Sequence, residues 1–458
     1  MVYSGQPDFI HLARDPQDTA EVLTYCNNHK MPVTFCGSQT SMTGASVADT
    51  GLALALAHRN KIIDISMDPQ NQEAFVTTEP GVILGDLKRA VAAAGYLYPP
   101  DPTSFNEAQI GATVATNATG EESFRFGATR LYVNELEILT AQGKIRTLKR
   151  MHDCPATPVK NSGGYKLGSE EIDQLIGSEG TLALITKLKL RLVRDVTPGR
   201  FVLVLPFNSF DHCLDAVVRL AKSTPQPRAL ELIGPGAGHF FRDCAACPTE
   251  LRTFKIFLYI RDDYTDDKNL EEKLTVWFNH LNTMYKAVNE PKQVEHVFVA
   301  KTDLQLETIR QCRHHIPLKV NETYFPYTTQ GGGKVGTDWW VPVEKLPKIM
   351  LTTQKEAEEL QLDYLVFGHI GNGHPHWNFL TRHPDEFAKA RAFVQRQCRR
   401  AVKAGGGVAG EHGIGKIKRD LLAIQYPADI IQKMISLKTK WDPNWILGRG
   451  NILAPPDQ

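Results

Sequence analysis

Three histidines, His369, His374 and His376, stand within eight residues in the run DYLVFGHIGNGHPHWNF. A strand-like stretch ends in His369 and a second begins at His374, with Asn372-Gly373 between them, a dipeptide that strongly favours a tight hairpin. With those two as turn residues, Gly371 pairs with His374 and His369 falls directly opposite His376, with Cβ atoms about 5 Å apart. Two imidazoles so placed can chelate one ion. Phe367 and Asn378 form the next pair on that face, so the Asn378 amide points towards whatever the histidines hold. A lone histidine beside a turn is most often a surface polar residue, but three so close favour a site.

A second set lies in GGGVAGEHGIGKIK, where Glu411 and His412 sit among glycines in a stretch too flexible for a helix interior. A carboxylate added to His369 and His376 gives the two-histidine, one-carboxylate set that suits zinc, iron or manganese and leaves positions open for substrate oxygens. His412 is then the neighbouring base, since an imidazole's ordinary pKa of about 6.5 suits proton transfer near neutrality. The same donors would serve a metal-dependent hydrolase that activates water.

The elements that must carry these segments show in periodicity and punctuation. Asp15-Pro16 opens a helix that runs to His29, and the strand-like PVTFCG follows. LALAL, KIIDIS and EAFVTTEPG alternate as short strands, and a helix from Leu84 to Ala94 stops at Gly95. The segment from Pro99 to Gly120 is rich in small residues, which predicts close approach by something flat. NELEILTA and KIRTLKR, turned at Gln142-Gly143, and then GSEGTLALITKLKLRLV close a first domain between Asp195 and Gly199. Beyond Arg200 come FVLVLPF, a helix from Phe210 to Lys222, ALELIG, TFKIFLYI, a further helix and VEHVFVA. VGTDWWVP, a helix from Val343 to Leu360 and YLVFGH complete a pattern that suits an antiparallel sheet backed by helices. The expected fold class is α+β, with domains at 1–197 and 198–418 and a helical C-terminal segment, 419–458, packed back on the first.

At 458 residues the chain has room for two or three domains. Its 52 Lys and Arg against 51 Asp and Glu leave almost no net charge, which argues against nucleic acid as a partner. No run reaches the roughly 18 consecutive apolar residues of a membrane span. The opening MVYSGQPDFIHLARD lacks the basic start and apolar run of a secretory signal, so a cytoplasmic protein is expected. Cysteines at 26, 36, 154, 213, 244, 247, 312 and 398 show no regular spacing, and reduced thiols are expected. Cys244 and Cys247 form a CxxC that supplies half of a tetrahedral thiolate site, and an ordinary turn is the expected role.

An ordered series of segments, PVTFCGSQTSMTGASV, EPGV, PPDPTS, IGATVATNATG, RFGATRLYV, KNSGGYKL, GSEGTLALIT, GHIGNGHPHWN, GEHGIG and DPNWILGRGNIL, resembles one known family. That family is the flavoproteins of the vanillyl-alcohol oxidase (PCMH) type, in the branch of D-lactate, glycolate and D-2-hydroxyglutarate dehydrogenases. The resemblance spans nearly the whole chain. It implies a PCMH-type FAD-binding domain followed by an antiparallel-sheet substrate (cap) domain, with the C-terminal segment returning to the first. Gly37, Ser38, Gln39, Thr40 and Ser41 with Gly44 then form the backbone cradle of the FAD pyrophosphate. Pro102, Thr103, Gly111, Asn117 and Gly120 form the wall beside the flavin, and Pro80, Gly81, Glu179, Gly180, Ile185 and Asn451 are further FAD contacts. No Rossmann fingerprint competes, because the nearest candidate, Gly234 to His239, lacks its third glycine. Thr40 stands where members with covalent flavin place a histidine, so noncovalent FAD is expected. Cys36 replaces a usual Arg, Ser38 and Gln39 replace glycines, and Arg449 with Asn451 stands where an NPGK-like ending is common.

On the substrate side the resemblance implies a divalent metal on His369, His376 and Glu411, with Asn378 as a substrate contact and Arg313 as a bidentate clamp on the carboxylate. His374 replaces a usual Asn on the histidine face, as a hydrogen-bond partner or a further ligand. Gly336 occupies the place where dicarboxylate-specific members carry Lys. D-lactate is therefore favoured over D-2-hydroxyglutarate or glycolate, while the loop at Gly331, Gly332 and Gly333 leaves Lys334 a route to the same point. The expected reaction has His412 take the hydroxyl proton while the α-hydrogen leaves as hydride to the flavin, giving the 2-oxo acid. With no iron–sulfur cysteine set, the acceptor is expected to be external: an electron-transfer flavoprotein, a quinone or a cytochrome. Dioxygen as acceptor and a noncatalytic docking subunit are the alternatives, and a homodimer is the commonest assembly.

Overall fold

The structure, a computed structural model, describes residues 3–69, 72–152, 160–195 and 199–456; Cys154 and the expected boundary at 197/198 lie outside them. The described chain divides into two compact units, the first made of residues 3–120, 127–195 and 408–456, the second of Glu121–Phe126 with 199–407.

In the first unit Asp15 caps the helix Pro16–Asn28 by accepting the Asp18 N–H at 2.9 Å, and Pro16 fits the first turn, where no intrahelical donor is needed. Val33–Cys36 pairs in parallel with Leu52–Ala55, whose other edge takes Phe9–Leu12. Leu23, Cys26, Val33 and Leu54 share an apolar core with Ile446 and Leu447 from the end of the chain. A separate antiparallel sheet runs in the order Ile62–Met67, Ala74–Thr78, Leu184–Arg194, Val133–Leu139, Ile145–Lys149.

The expected boundary at 418/419 falls earlier, between 407 and 408. The GEHGIG loop is bonded within the first unit: the Glu179 carboxylate accepts the N–H groups of Ile414 and Gly415, each at 2.7 Å, and Thr43 O accepts that of Lys416 at 2.9 Å. Conversely, Glu121 and Glu122 belong to the second unit, where Arg261 and Arg228 pair with them.

The second unit is built on a seven-stranded antiparallel sheet in the order Phe298–Ala300, Gly199–Phe207, Ile256–Tyr264, Ala229–Ile233, Asp363–His369, His374–Thr381, Gly333–Gly336. The helices Ala237–Asp243 and Asp303–Tyr324 bring Phe241, Ile309, Cys312, Ile316 and Val320 onto Val204, Ile233, Phe257, Tyr259 and Leu365. Each apolar side chain fully buried in this way contributes about 1.5–3 kcal/mol. Phe210–Leu220, Asp267–Ala287, Leu346–Glu359 and Pro384–Lys403 also pack on this sheet. The strand expected through VGTDWWVP ends at Gly336, because the tryptophans turn inward: Trp339 Nε1 donates to Gln397 at 2.9 Å, and Trp340 makes only an isolated bridge to Gly407. Cys244 and Cys247 form a turn closed by the Cys247 N–H on the Cys244 carbonyl at 2.9 Å, and no disulfide joins the described cysteines. Among the described residues no helix is long and apolar enough to cross a membrane.

Candidate active site

The histidine hairpin forms, in a different register from the one expected. His369 lies opposite His374, Phe367 opposite His376 and Leu365 opposite Asn378. The connection is a 3-10 turn at Ile370–Asn372 followed by Gly373 in the left-handed region, with φ 67°. A Cβ on Gly373 would lie 1.8 Å from the Val341 carbonyl oxygen, so close backbone approach sets this turn. Because the register differs by two residues, the parity of the pleat survives and all three histidines still share one face. The ring centroids of His369 and His376 are 5.4 Å apart, with His374 4.6 Å from His376 and 5.8 Å from His369.

Each ring is oriented by an oxygen acceptor. Glu231 Oε1 meets His369 Nδ1 at 2.8 Å, Asp338 Oδ1 meets His374 Nε2 at 3.0 Å, and Thr337 O meets His376 Nδ1 at 3.4 Å. Ionised carboxylates and carbonyls only accept, so these ring nitrogens carry the protons and, in a neutral ring, the lone pairs fall on Nε2 of His369 and His376 and on Nδ1 of His374. An Asp338 carboxylate oxygen also lies within 4.8 Å of a His376 ring nitrogen. His376 and the Asp338 carboxylate are two donors of the kinds that hold a divalent ion, and His369 stands on the same face. Sequence reasoning missed Glu231 and Asp338. The available signal was a glutamate in ALELI, a strand buried along its whole length.

Asn378 donates Nδ2–H to the His376 carbonyl at 3.2 Å. Lys334 lies opposite Leu380 with its ammonium 2.8 Å from Asn321 Oδ1, and burial pulls its pKa below the ordinary lysine value. Arg313, the expected substrate clamp, has carboxylate partners within the chain. On the helix Asp303–Tyr324 its guanidinium pairs with Glu121 and Glu231 and lies 5.6 Å from the Tyr259 ring centroid. Buried carboxylates need a cation, and Arg313 answers two of them.

Glu411 and His412 belong to the first unit. Thr119 Oγ1 and Lys160 Nζ donate to Glu411 Oε2, both at 3.2 Å, and His412 Nε2 lies 3.2 Å from Oε1. Buried Lys160, in the motif KNSGGYKL, is a further residue that sequence reasoning passed over.

The remaining expected site residues lie in the same unit. Ser38, Gln39 and Thr40 are exposed, and among the described residues the backbone N–H groups of Ser38 to Ser41 meet no protein acceptor. Exposed amides in a row are the chemistry of a phosphate cradle. Gln39 adopts φ 54°, a conformation that costs little only to glycine, the residue the resemblance places there. Asn451 joins two of the expected segments by donating Nδ2–H to Ala45 O at 2.8 Å and to Glu179 O at 3.3 Å. Its buried Oδ1 meets no protein donor among the described residues, and a flipped amide would turn that oxygen against two carbonyls. The cradle and this acceptor together fit a phosphate-bearing ligand rich in donors, as FAD is.

Several expected flavin contacts carry structural bonds. The Glu179 carboxylate braces Ile414 and Gly415, and Asn117 Oδ1 accepts the Arg130 N–H at 3.0 Å. Gly111 N–H reaches Pro80 O at 2.8 Å, and Gly81 N–H reaches Arg59 O at 2.7 Å. Gly120 packs against the backbone of Asp101, close to Pro102 and Thr103 in sequence, and Ile185 is buried opposite Ile138, five residues beyond half-buried Gly180.

Residues 7–149 match the FAD binding domain family, and residues 198–452 match the family of FAD linked oxidases, C-terminal domain. The chain is 30% identical to a D-lactate dehydrogenase of Anaerostipes hadrus, over 98% of this chain and 90% of that protein. It is 28% identical to glycolate oxidase subunit GlcD of Bacillus subtilis, over 99% and 90%. It is 26% identical to a D-2-hydroxyglutarate dehydrogenase of Stutzerimonas stutzeri, over 99% and 92%. Among solved structures, substrate-bound p-cresol methylhydroxylase is similar with a TM-score of 0.68 at 14% identity, covering 99% of this chain and 90% of that one, a likeness of fold.

Proposed function

The chain belongs to the FAD linked oxidases, and we propose that within that family it oxidises a D-2-hydroxy acid, D-lactate foremost, to the 2-oxo acid and passes the electrons to an external acceptor. The observation that carries this reading is the histidine face, where His369 and His376 are each held through Nδ1 and His376 lies beside the Asp338 carboxylate. The names of the relatives support the substrate class, since they are dehydrogenases or oxidase subunits for 2-hydroxy acids. A hydrolase reading is set aside, because it gives no reason for an FAD binding domain.

When bound, FAD supplies a two-electron acceptor and a divalent ion, zinc or alternatively iron or manganese, supplies a Lewis acid. In this reading His369, His376 and Glu411 hold the ion, with Asp338 as an added donor. Ser38 to Ser41 cradle the FAD phosphates, Asn451 accepts a donor of the cofactor, and Thr40 leaves the flavin noncovalent. His412 takes the substrate's hydroxyl proton on Nδ1, its Nε2 being turned to Glu411. Asn378 and Arg313 hold the substrate and so fix which face of the α-carbon is presented, and Lys334 is the route to a distal carboxylate.

The test is anaerobic bleaching of the flavin by D- and L-2-hydroxy acids, repeated after chelation and in His412→Ala. Bleaching by a D-acid, abolished by chelation and slowed about 10²- to 10⁴-fold by the substitution, is expected. A flavin that no 2-hydroxy acid bleaches would sink the substrate assignment, and bleaching indifferent to chelation would sink the metal.

A further inference from the structure

We infer that Glu231 is a positioning residue that locks His369 in the Nδ1–H tautomer, and that Arg313, backed by Glu121, keeps the Glu231 carboxylate aimed for that purpose. The inference deepens the proposed metal site and rests on it only where metal affinity is concerned.

Glu231 lies in the central strand Ala229–Ile233 and is fully buried. A carboxylate in such a place costs several kcal/mol unless it is paired and its oxygens are satisfied. The fold satisfies them in two directions. Oε2 meets the Arg313 guanidinium, and Oε1 meets His369 Nδ1 at 2.8 Å. An ion pair present for stability alone would be complete with Arg313. Here the second oxygen is kept for an imidazole on the next strand, Ala229–Ile233 and Asp363–His369 being neighbours in the sheet.

The consequence for His369 is chemical. An imidazole that donates Nδ1–H to a carboxylate has its lone pair fixed on Nε2, and the negative charge raises the donor strength of that nitrogen. The bond also fixes the ring's rotation. His376 Nδ1 meets a neutral acceptor, the Thr337 carbonyl at 3.4 Å, where His369 Nδ1 meets a carboxylate at 2.8 Å.

Arg313 closes the chain of pairs. Its other nitrogen meets Glu121, so one guanidinium bridges two buried carboxylates with both ends of its fork engaged. Lysine at this position would reach one of them as a point charge. The helix Asp303–Tyr324 that carries Arg313 is seated on the same sheet by Ile309, Cys312 and Ile316, which fixes where the guanidinium falls.

The test combines nitrogen-15 histidine NMR of the metal-free, FAD-loaded protein at one neutral pH with Mn2+ and Zn2+ affinity by chelator competition, in wild type, E231A, E231Q and R313K. His369 resonances are assigned with His369→Gln. Wild type is expected to carry the His369 proton on Nδ1, and E231A to give mixed tautomers and bind metal about 10- to 100-fold more weakly. E231Q, which keeps an acceptor towards His369, is expected to lose less. R313K is expected to fall between wild type and E231A. A wild-type His369 protonated on Nε2 would overturn the inference, and so would an E231A protein with unchanged tautomer and affinity. Should E231A not fold, the wild-type tautomer and E231Q still decide. If no divalent ion binds while the His369 tautomer depends on Glu231, the positioning role stands and the metal reading fails.

Discussion

His374 donates its Nε2–H to Asp338 at 3.0 Å, and the two side chains are sealed from water at 0% and 2% exposure. No solvent can replace either partner there, so the pair is a structural commitment of the histidine face. Asp338→Ala leaves a buried N–H without its acceptor and is expected to cost about 1–3 kcal/mol in chemical denaturation, while Asp338→Asn, which retains an oxygen, costs less. Equal midpoints for wild type and Asp338→Ala would show that the pair contributes nothing.

Glu179→Ala removes the acceptor that the Ile414 and Gly415 amides share, each at 2.7 Å. Hydrogen bonds to a charged group contribute about 1.5–3 kcal/mol. The expected outcome is faster hydrogen exchange at those two amides and at least a tenfold loss of flavin reduction by substrate, because His412 stands on the same loop. Unchanged exchange would mean that the loop is held by other contacts.

The two predictions concern residues of different visibility in the sequence. His369, His376 and Glu411 stood out as candidates because chemically expensive residues stood close to turn signals. The α+β class was legible because the strand and helix periods alternate clearly beyond Arg200. The hairpin register was not, since Asn372-Gly373 suits a two-residue turn, whereas the chain turns over Ile370–Asn372 and Gly373, whose backbone lies against the Val341 carbonyl. The partners were invisible for a different reason. Glu231 lies 138 residues from His369 and Lys160 lies 251 from Glu411, separations at which sequence spacing carries no information about contact. The pairing of Arg313 with Glu231, 82 residues away, was hidden in the same way.

Acid should unfold the second unit through its arginine-paired carboxylates. Burial pushes the Glu122 carboxyl up, but Arg261, Arg228 and Arg200 together overcome that and bring it from an ordinary 4.5 to about 2. Burial likewise raises Asp263, and Arg125, Lys273 and Arg228 more than reverse it. A depressed folded-state pKa contributes stability that is fully present above the unfolded value and is lost as pH falls through the folded value. The thermal midpoint is therefore expected to drop between pH 4.5 and about 2. Circular dichroism melts should show Glu122→Gln with a lower midpoint at neutral pH and a shallower decline across that window. An identical decline would remove Glu122 as a source of the acid response.

Gly336 tests how the chain chooses among 2-hydroxy acids. It lies opposite Asn378, it is exposed, and a Cβ there would meet Asn378 Oδ1 at 3.6 Å, an ordinary contact. A side chain is therefore tolerated, and Gly336→Lys brings an ammonium to the edge of the sheet beside Asn378. A new charge-assisted contact is worth about 1.5–3 kcal/mol, so kcat/KM for D-2-hydroxyglutarate should rise about 10- to 100-fold relative to D-lactate. Lys334→Ala separates the two routes to a distal carboxylate. If it abolishes residual dicarboxylate activity in wild type but not in Gly336→Lys, Lys334 is the weaker native reader. If the Gly336→Lys ratio does not move, the dicarboxylate is not read from this strand, and the preference for D-lactate needs another cause.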